Sequence, residues 1–206
     1  MGNGKQQSSL YKINEIFYSI QAEGYWSGTP AVFIRFADCN LRCDFCDTEF
    51  LTGIDMSVSE IMANITGYPS KFAVLTGGEP LMRDTTELVT ALKEAGYYVS
   101  VETNGMFSPK HALFDWITIS PKSDKLKLKK CSEIKIVLGV DEYPETYGIE
   151  AEHKYISPKN PTHDRPIGTH SAEFFDVHAA QYCYRYVLKH PEWRLTLQNH
   201  KIIGVK

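Results

Sequence analysis

No apolar run in this 206-residue chain approaches the roughly 20 residues that a membrane-spanning helix needs. A basic excess is missing too. Lys and Arg number 22 against 25 Asp and Glu, a formal net charge of −3, so the footprint of a general nucleic-acid binder is absent. Met1 to Gln7 is polar and lacks the apolar core of a secretion signal. No linker, internal repeat or low-complexity tract divides the chain. What is present is ordinary globular composition, 43% hydrophobic and 23% charged, which argues against disorder. The expectation is one cytoplasmic domain over residues 1–206, with neither membrane nor nucleic acid as a direct partner. A complete eight-fold βα barrel takes about 250 residues, so a barrel here must be a reduced one.

Cysteine is scarce except in one place. Of five, Cys39, Cys43 and Cys46 crowd into eight residues, while Cys131 and Cys183 stand alone and suit buried structural positions. Thiols so closely spaced are poor disulfide partners, and in a reducing compartment they point to metal or redox chemistry.

Along the chain, short β-branched and aromatic runs alternate with helical patterns, the grammar of βαβ units and a parallel sheet. Strands are expected over Ala31–Phe36, Phe72–Thr76, Tyr97–Glu102, Trp116–Ile119 and Ile134–Leu138, with Tyr155-Ile156 and Trp193–Leu197 as later runs. Helices are expected over Ser57–Ile65, with Ser57 and Glu60 as a capping box, over Thr85–Ala95 capped by Asp84, and over Ser171–His190. Residues 139–170, rich in Pro, Gly and His, read as an irregular stretch. The fold class is therefore α/β, an incomplete, open parallel βα barrel of about six strands. Residues with chemical potential repeatedly follow a strand, the end where loops converge on a site.

The strongest signal is Cys39-Asn-Leu-Arg-Cys43-Asp-Phe-Cys46, a C-x3-C-x2-C loop within residues 37–50. Three thiolates can hold three irons of a [4Fe–4S] cubane and leave the fourth open. The alternative, a structural zinc site, needs a fourth ligand, and no further Cys or His lies within a few residues. Thr76-Gly77-Gly78-Glu79-Pro80 follows a strand about thirty residues later, with glycines where bare backbone can approach a ligand.

With Phe45 before the last thiol, this loop resembles that of radical S-adenosylmethionine (SAM) enzymes, and Gly77–Pro80 resembles their GGEP motif. The resemblance narrows at both ends. Glu15–Gly24, Gly28–Arg35, Cys46-Asp47-Thr48, Val101–Gly105, Ile119–Lys122, Trp193–Leu195 and Gln198–Lys201 together are similar to 7-carboxy-7-deazaguanine synthases, in order from Ile13 onward. That resemblance implies a carbon–nitrogen lyase of queuosine and 7-deazapurine biosynthesis, whose product could feed either tRNA modification or modified DNA. It implies conversion of 6-carboxy-5,6,7,8-tetrahydropterin to 7-carboxy-7-deazaguanine with loss of ammonia. The implied cofactors are a [4Fe–4S] cluster, SAM and Mg²⁺. The implied partners are the small pterin substrate, a flavodoxin-like reductant and a second copy in a homodimer. In the implied mechanism a 5′-deoxyadenosyl radical takes hydrogen from C6 of the pterin, and the ring then contracts.

The resemblance places the cluster on Cys39, Cys43 and Cys46 and Mg²⁺ on Thr48. It places SAM along Phe45, Cys46, Asp47 and Gly78, and along Ser120, Pro121 and Lys122. Glu102 and Asn104 have weaker support as SAM contacts, as does Ser157-Pro158-Lys159-Asn160, whose wording departs from the family's Gln-Pro pattern. Substrate positions are Ile20, Gln21, Ala22, Glu23, Arg35, Thr76 and His200, with the terminal carboxylate of Lys206 closing the 198–206 tail. On their own chemistry, Gln21 and Glu23 suit the alternating donors and acceptors of a pterin edge. Arg35 in an apolar strand needs a partner, either a substrate carboxylate or a structural ion pair. Ala22 stands where the family usually has Gly, and Lys206 where it has an apolar ending. Two alternatives stay open: another radical SAM enzyme such as a glycyl-radical-enzyme activase, and a non-catalytic iron–sulfur or zinc module.

Overall fold

A computed structural model describes residues 9–46, 49–160 and 175–205. In chain order the elements are β1 (Leu10–Ile20), β2 (Pro30–Phe36), β3 (Ile54–Ser57), α1 (Val58–Ile65), β4 (Phe72–Gly77), α2 (Thr86–Glu94), β5 (Tyr98–Thr103), β6 (Trp116–Ile119), β7 (Lys130–Leu138), β8 (Glu150–Pro158), α3 (Val177–Lys189), β9 (Arg194–Leu195) and α4 (Asn199–Ile203). All nine strands join one sheet in the order β3-β1-β2-β4-β5-β6-β7-β8-β9. From β2 through β8 six strands run parallel, and the two-residue β9 adds a short seventh. The sheet order ends on β3 and β9 without joining them, so the barrel is open.

Strands β2 and β4 are near-continuous apolar runs because both of their faces are covered. One face of β1, β2, β4 and β5 packs Ile34, Leu75 and Val99 against Ile61 and Ile65 of α1 and Leu88 and Leu92 of α2. Farther along the sheet, Ile134, Ile136 and Leu138 of β7 meet Cys183 of α3 and Trp193. Among the described residues no helix joins β5 to β6, β6 to β7 or β7 to β8. The crossovers are pared to loops, which is how a barrel-type sheet fits 206 residues. No helix among the described residues is long and apolar enough to cross a membrane.

Several expectations change in detail. The capping box of α1 forms: the Glu60 N–H donates to Ser57 Oγ at 3.3 Å and the Ser57 N–H to Glu60 Oε2 at 2.8 Å. For α2 the cap position is Thr85 rather than Asp84. Asp84 still accepts from the Thr86 N–H at 3.0 Å, as an Asx turn just before the helix. The helix expected over Ser171–His190 is α3, described from Val177; residues 171–174 lie outside the described residues. The stretch 139–170 is not irregular throughout, since β8 runs through it for nine residues. Its outer half, Glu150 to Lys154, is polar because it is only partly covered, and this hid the strand period. Strands β1 and β3 were not anticipated; they add an antiparallel edge beside β2.

Candidate active site

Strand β1 runs antiparallel to β2, with Ile20 paired to Pro30, so residues 21–29 turn at the starting ends of the parallel strands. The cluster-motif loop leaves the opposite end of β2. A cavity of about 530 Å³ passes between these two ends through the sheet's concave interior. Cys39, Cys43, Phe45 and Cys46 line it from one side, and Ile20, Gln21, Ala22 and Glu23 from the other. Arg35, Thr76, Gly78, Glu102, Asn104, Ser120, Lys122, Asn160 and His200 line the wall between.

The floor, residues 21–29, is a tight loop. The Gln21 N–H donates to the Thr29 carbonyl at 2.8 Å and the Gly28 N–H to the Gln21 carbonyl at 2.7 Å. Its side chains are clamped by charges on the wall. Gln21 Nε2 donates to Glu102 Oε1 at 3.0 Å, and Thr76 Oγ1 to Glu102 Oε2 at 2.7 Å. Glu23 Oε2 pairs with Lys135 Nζ, and Glu23 Oε1 accepts from Ser157 Oγ at 3.0 Å. Glu133 Oε2 accepts from the Tyr25 N–H at 2.8 Å. Burial works against ionisation of Glu102, but Lys135, Thr76, Gln21 and Arg35 outweigh it and hold its carboxyl below the usual range. Burial likewise works against the charge on Lys135, and the carboxylates of Glu23 and Glu102 overcome it, raising its pKa. Glu133, deeper in, is pushed up to about 7, chiefly by burial. Lys122 is lowered to about 8 by burial, then by the Lys135 charge.

Gly77 and Gly78 are required by the chain itself. Gly77 has φ +114°, and a Cβ there would sit 2.4 Å from the Phe36 carbonyl oxygen. A Cβ on Gly78 would fall 1.9 Å from the Asp38 carbonyl oxygen. The glycines therefore let β4 lie against the root of the cluster loop, besides leaving bare backbone beside the cavity. Glu79 locks the same seam. Its buried carboxylate accepts from Thr103 Oγ1 and the Asn104 N–H, both at 2.7 Å, and from the Leu81 N–H at 3.0 Å. Burial raises its pKa against these three donors.

The cluster loop is held mainly at its roots. The Asp38 N–H donates to the Phe50 carbonyl at 2.7 Å, and Asn104 Nδ2 to Asn40 Oδ1 at 2.9 Å. Within it the Cys46 N–H donates to the Cys43 carbonyl at 3.0 Å. Cys39 and Cys43 are half-buried and Cys46 exposed, and none of the three is in a disulfide. Burial raises the first two.

Residues 33–164 match the model of the Radical SAM superfamily. A 7-carboxy-7-deazaguanine synthase of Bacteroides thetaiotaomicron is 42% identical over 198 residues, covering 96% of this chain and 100% of the relative. The chain belongs to the 7-carboxy-7-deazaguanine synthase family. A synthase of Synechocystis sp. is 37% identical over 205 residues, covering 95% of this chain and 94% of the relative. The crystal structure of QueE from Escherichia coli shares the fold, with a TM-score of 0.70 at 23% identity over 92% of this chain and 94% of that one.

The donor set suits the iron–sulfur cluster that membership in the synthase family implies. Three thiols line one side of the cavity, and among the described residues no three His, Cys, Asp or Glu side chains gather to hold a single metal ion. A cubane takes each thiolate on a separate iron, so its ligands need not converge on one point, whereas a closed zinc site requires convergence. Bare Gly78 backbone and the polar side chains of Asn104 and Ser120 line the same cavity beyond the thiols, a surface suited to a zwitterionic cofactor such as SAM.

Not every expected position reaches the cavity. Ser157 is fully buried and spends its hydroxyl on Glu23, so it supports the floor and does not line the cavity. Pro158 and Lys159 do not line it either: Pro158 is buried in β8, while Lys159 pairs with Glu142 at 3.6 Å and lies over the Phe45 ring. Pro121 faces a separate, shallower pocket behind the cluster loop. Arg35 makes a structural ion pair, its Nε donating to Glu15 Oε1 at 3.0 Å, and the residue lines the cavity. Asp47, Thr48 and Lys206 lie outside the described residues. Ala22 is buried, and its N–H donates to the side-chain oxygen of Gln21 at 2.8 Å. Lys135 and Glu133 were missed. The signal was two charges at alternate positions around Ile134, just ahead of the apolar Ile136–Leu138, whose burial demands partners.

Proposed function

We propose that the chain is a carbon–nitrogen lyase that converts 6-carboxy-5,6,7,8-tetrahydropterin to 7-carboxy-7-deazaguanine with release of ammonia, toward queuosine. The observation that carries this is one cavity lined at one end by Cys39, Cys43 and Cys46 and at the other by Gln21 and Glu23, with Arg35 on the wall between. Cys39, Cys43 and Cys46 hold the [4Fe–4S] cluster, and Phe45, Asp47, Gly78, Asn104, Ser120 and Lys122 flank SAM. When bound, cluster and SAM supply the one-electron chemistry that opens a carbon–hydrogen bond. The chain's own task is positioning and exclusion of water. Gln21 and Glu23 meet the amino and amide edge of the pterin. Arg35, paired with Glu15, lines the cavity, and its planar cation suits the substrate carboxylate. Thr76 and His200, which line the cavity, flank the ring. Thr48 supplies a hydroxyl to Mg²⁺, which keeps much of its shell of water and substrate oxygens. A flavodoxin-class reductant, a homodimeric assembly and a cytoplasmic setting complete the reading; their support is the family resemblance.

Anaerobically reconstituted protein given reductant, SAM, Mg²⁺ and the carboxytetrahydropterin should release ammonia and the deazaguanine in equal amounts. Absence of both products from a protein carrying its full iron complement overturns the proposal. SAM turnover that is indifferent to the pterin returns the chain to another radical SAM chemistry.

A further inference from the structure

We infer that Lys135 is the positioning residue of the cavity floor, fixing the Glu23 carboxylate in the orientation in which it meets the substrate. The inference rests on the assignment of Gln21 to Glu23 as the substrate-recognising segment.

Strand β7 alternates as a buried strand should, with Ile134, Ile136 and Leu138 in the core beneath α3. The opposite face carries Glu133 and Lys135, where apolar residues would be expected. A buried ammonium is costly unless paired, and here the pairing is specific. Lys135 Nζ reaches Glu23 Oε2, and each side chain is only 11% exposed. The other oxygen of Glu23 accepts from Ser157 Oγ of the neighbouring strand β8 at 3.0 Å. The carboxylate is thus gripped from two strands, one contact per oxygen, and its rotation is fixed. Two residues back on β7, Glu133 takes the N–H of Tyr25, two residues on from Glu23. The loop is zipped to the strand in two rungs with matched spacing.

Electrostatics support the same role. Lys135 sits among the carboxylates of Glu23, Glu102 and Glu133 and faces the second ammonium of Lys122. Arg35 lies beyond Glu102. Without Lys135, three carboxylates would crowd one corner of the cavity. Both Glu23 and Lys135 line that cavity, so the pair is set where a neutral ring carrying amino and amide groups would rest. A strut would only hold the barrel edge; a positioning pair must also act on substrate binding, and through Glu23.

The test uses cluster-loaded protein and five forms: wild type, Lys135→Met, Lys135→Arg, Glu23→Gln and the double variant Lys135→Met with Glu23→Gln. Lys135→Met should raise KM for the carboxytetrahydropterin about thirtyfold, as loss of one partner of a buried charge pair does. Its kcat should fall much less, and the SAM-induced change in the cluster's EPR spectrum should persist. Lys135→Arg should recover KM to within a few-fold of wild type. The double variant should bind no worse than Glu23→Gln, because Lys135 then has nothing to position. A wild-type KM in Lys135→Met, or losses that multiply in the double variant, would overturn the inference. So would loss of the SAM signal together with turnover. If Lys135→Met fails to fold, Ser157→Ala decides. It releases the other oxygen of Glu23 and should raise the same KM several-fold; an unchanged KM refutes the role. Failure of the wild type to turn over the pterin is a different result, and it sinks the proposed function rather than this inference.

Discussion

Glu23, on the cavity floor, is tied to β7 and β8 by both carboxylate oxygens, and Gln21 beside it is tied to β5 through Glu102. Across the cavity Cys46 is exposed, and among the described residues Arg42 donates to the carbonyls of Cys39 and Leu41 and lies over the Phe50 ring, all within the same loop. One flank is organised by the polypeptide before anything binds. The other is anchored at its roots and exposes thiols whose bonds to an inorganic group would be its strongest ties. On the proposed reading the floor meets the pterin through many weak directional contacts, each lost if its partner swings, and preorganisation serves that. Iron–thiolate bonds are strong enough to do their own organising.

That contrast can be broken by experiment. The largest effect belongs to the cluster loop: Cys43→Ala should abolish turnover and the SAM-dependent EPR signal. The thermal midpoint of the metal-free protein should move by less than about 2 °C, since the thiol is only half-buried. A collapse of the fold in that variant would mean the loop is structural after all.

On the floor the balance reverses. Gly24 has φ +70°, and a Cβ there would lie 2.2 Å from the Glu133 carboxylate. Gly24→Ala should cost about 2–4 kcal/mol, combining left-handed strain with a clash against a buried charge. Iron incorporation should stay near wild type while the unfolding midpoint drops; iron loss in step with stability would show the two flanks are not separable.

A smaller, pH-dependent effect is expected at Glu133, whose carboxyl is pushed up to about 7 by burial. Unfolded, it titrates near 4.3. The folded state therefore holds this proton more tightly, so the associated stability is present below about pH 4 and lost as pH rises through 7. Glu133→Gln keeps a neutral acceptor for Tyr25 and should be more stable than wild type above pH 7, on the order of 2 kcal/mol. The difference should vanish near pH 4 in paired unfolding curves; a gap independent of pH would refute the burial argument. The smallest change is Asn40→Ala, which removes two hydrogen bonds at an exposed position, one accepted from Asn104 Nδ2 and a weak one donated to Met106 Sδ. It should cost about 0.5–1 kcal/mol by denaturant unfolding, well below the floor variant.

Much of the site was legible in the sequence because short motifs carry their own chemistry. Three thiols at fixed spacing, two glycines after β4 and an arginine in an apolar strand each announce a constraint. Strands β2 and β4 were legible for a related reason: covered on both faces, they read as nearly unbroken apolar runs. Strands β1 and β3 were hidden because edge strands are only partly covered, so their pattern mixes polar and apolar positions. Ser157 was misjudged because its partner, Glu23, lies 134 residues away and sequence order does not reveal which strands become neighbours. Lys135 was passed over for the same reason. Its meaning exists only once β7 faces the loop after β1.

Burial also sorts the five cysteines. The thiols of Cys131 and Cys183 are pushed up to about 12, chiefly by their surroundings, and both residues are buried. Thiolates are the reactive form, so these two are poor targets for alkylating reagents and oxidants while the fold is intact. A labelling experiment on native protein therefore has a built-in numerator and denominator. Reagent uptake before denaturation counts the cluster loop, and the further uptake on unfolding counts Cys131 and Cys183. The ratio reads cluster occupancy from the protein's side, without reference to an iron assay.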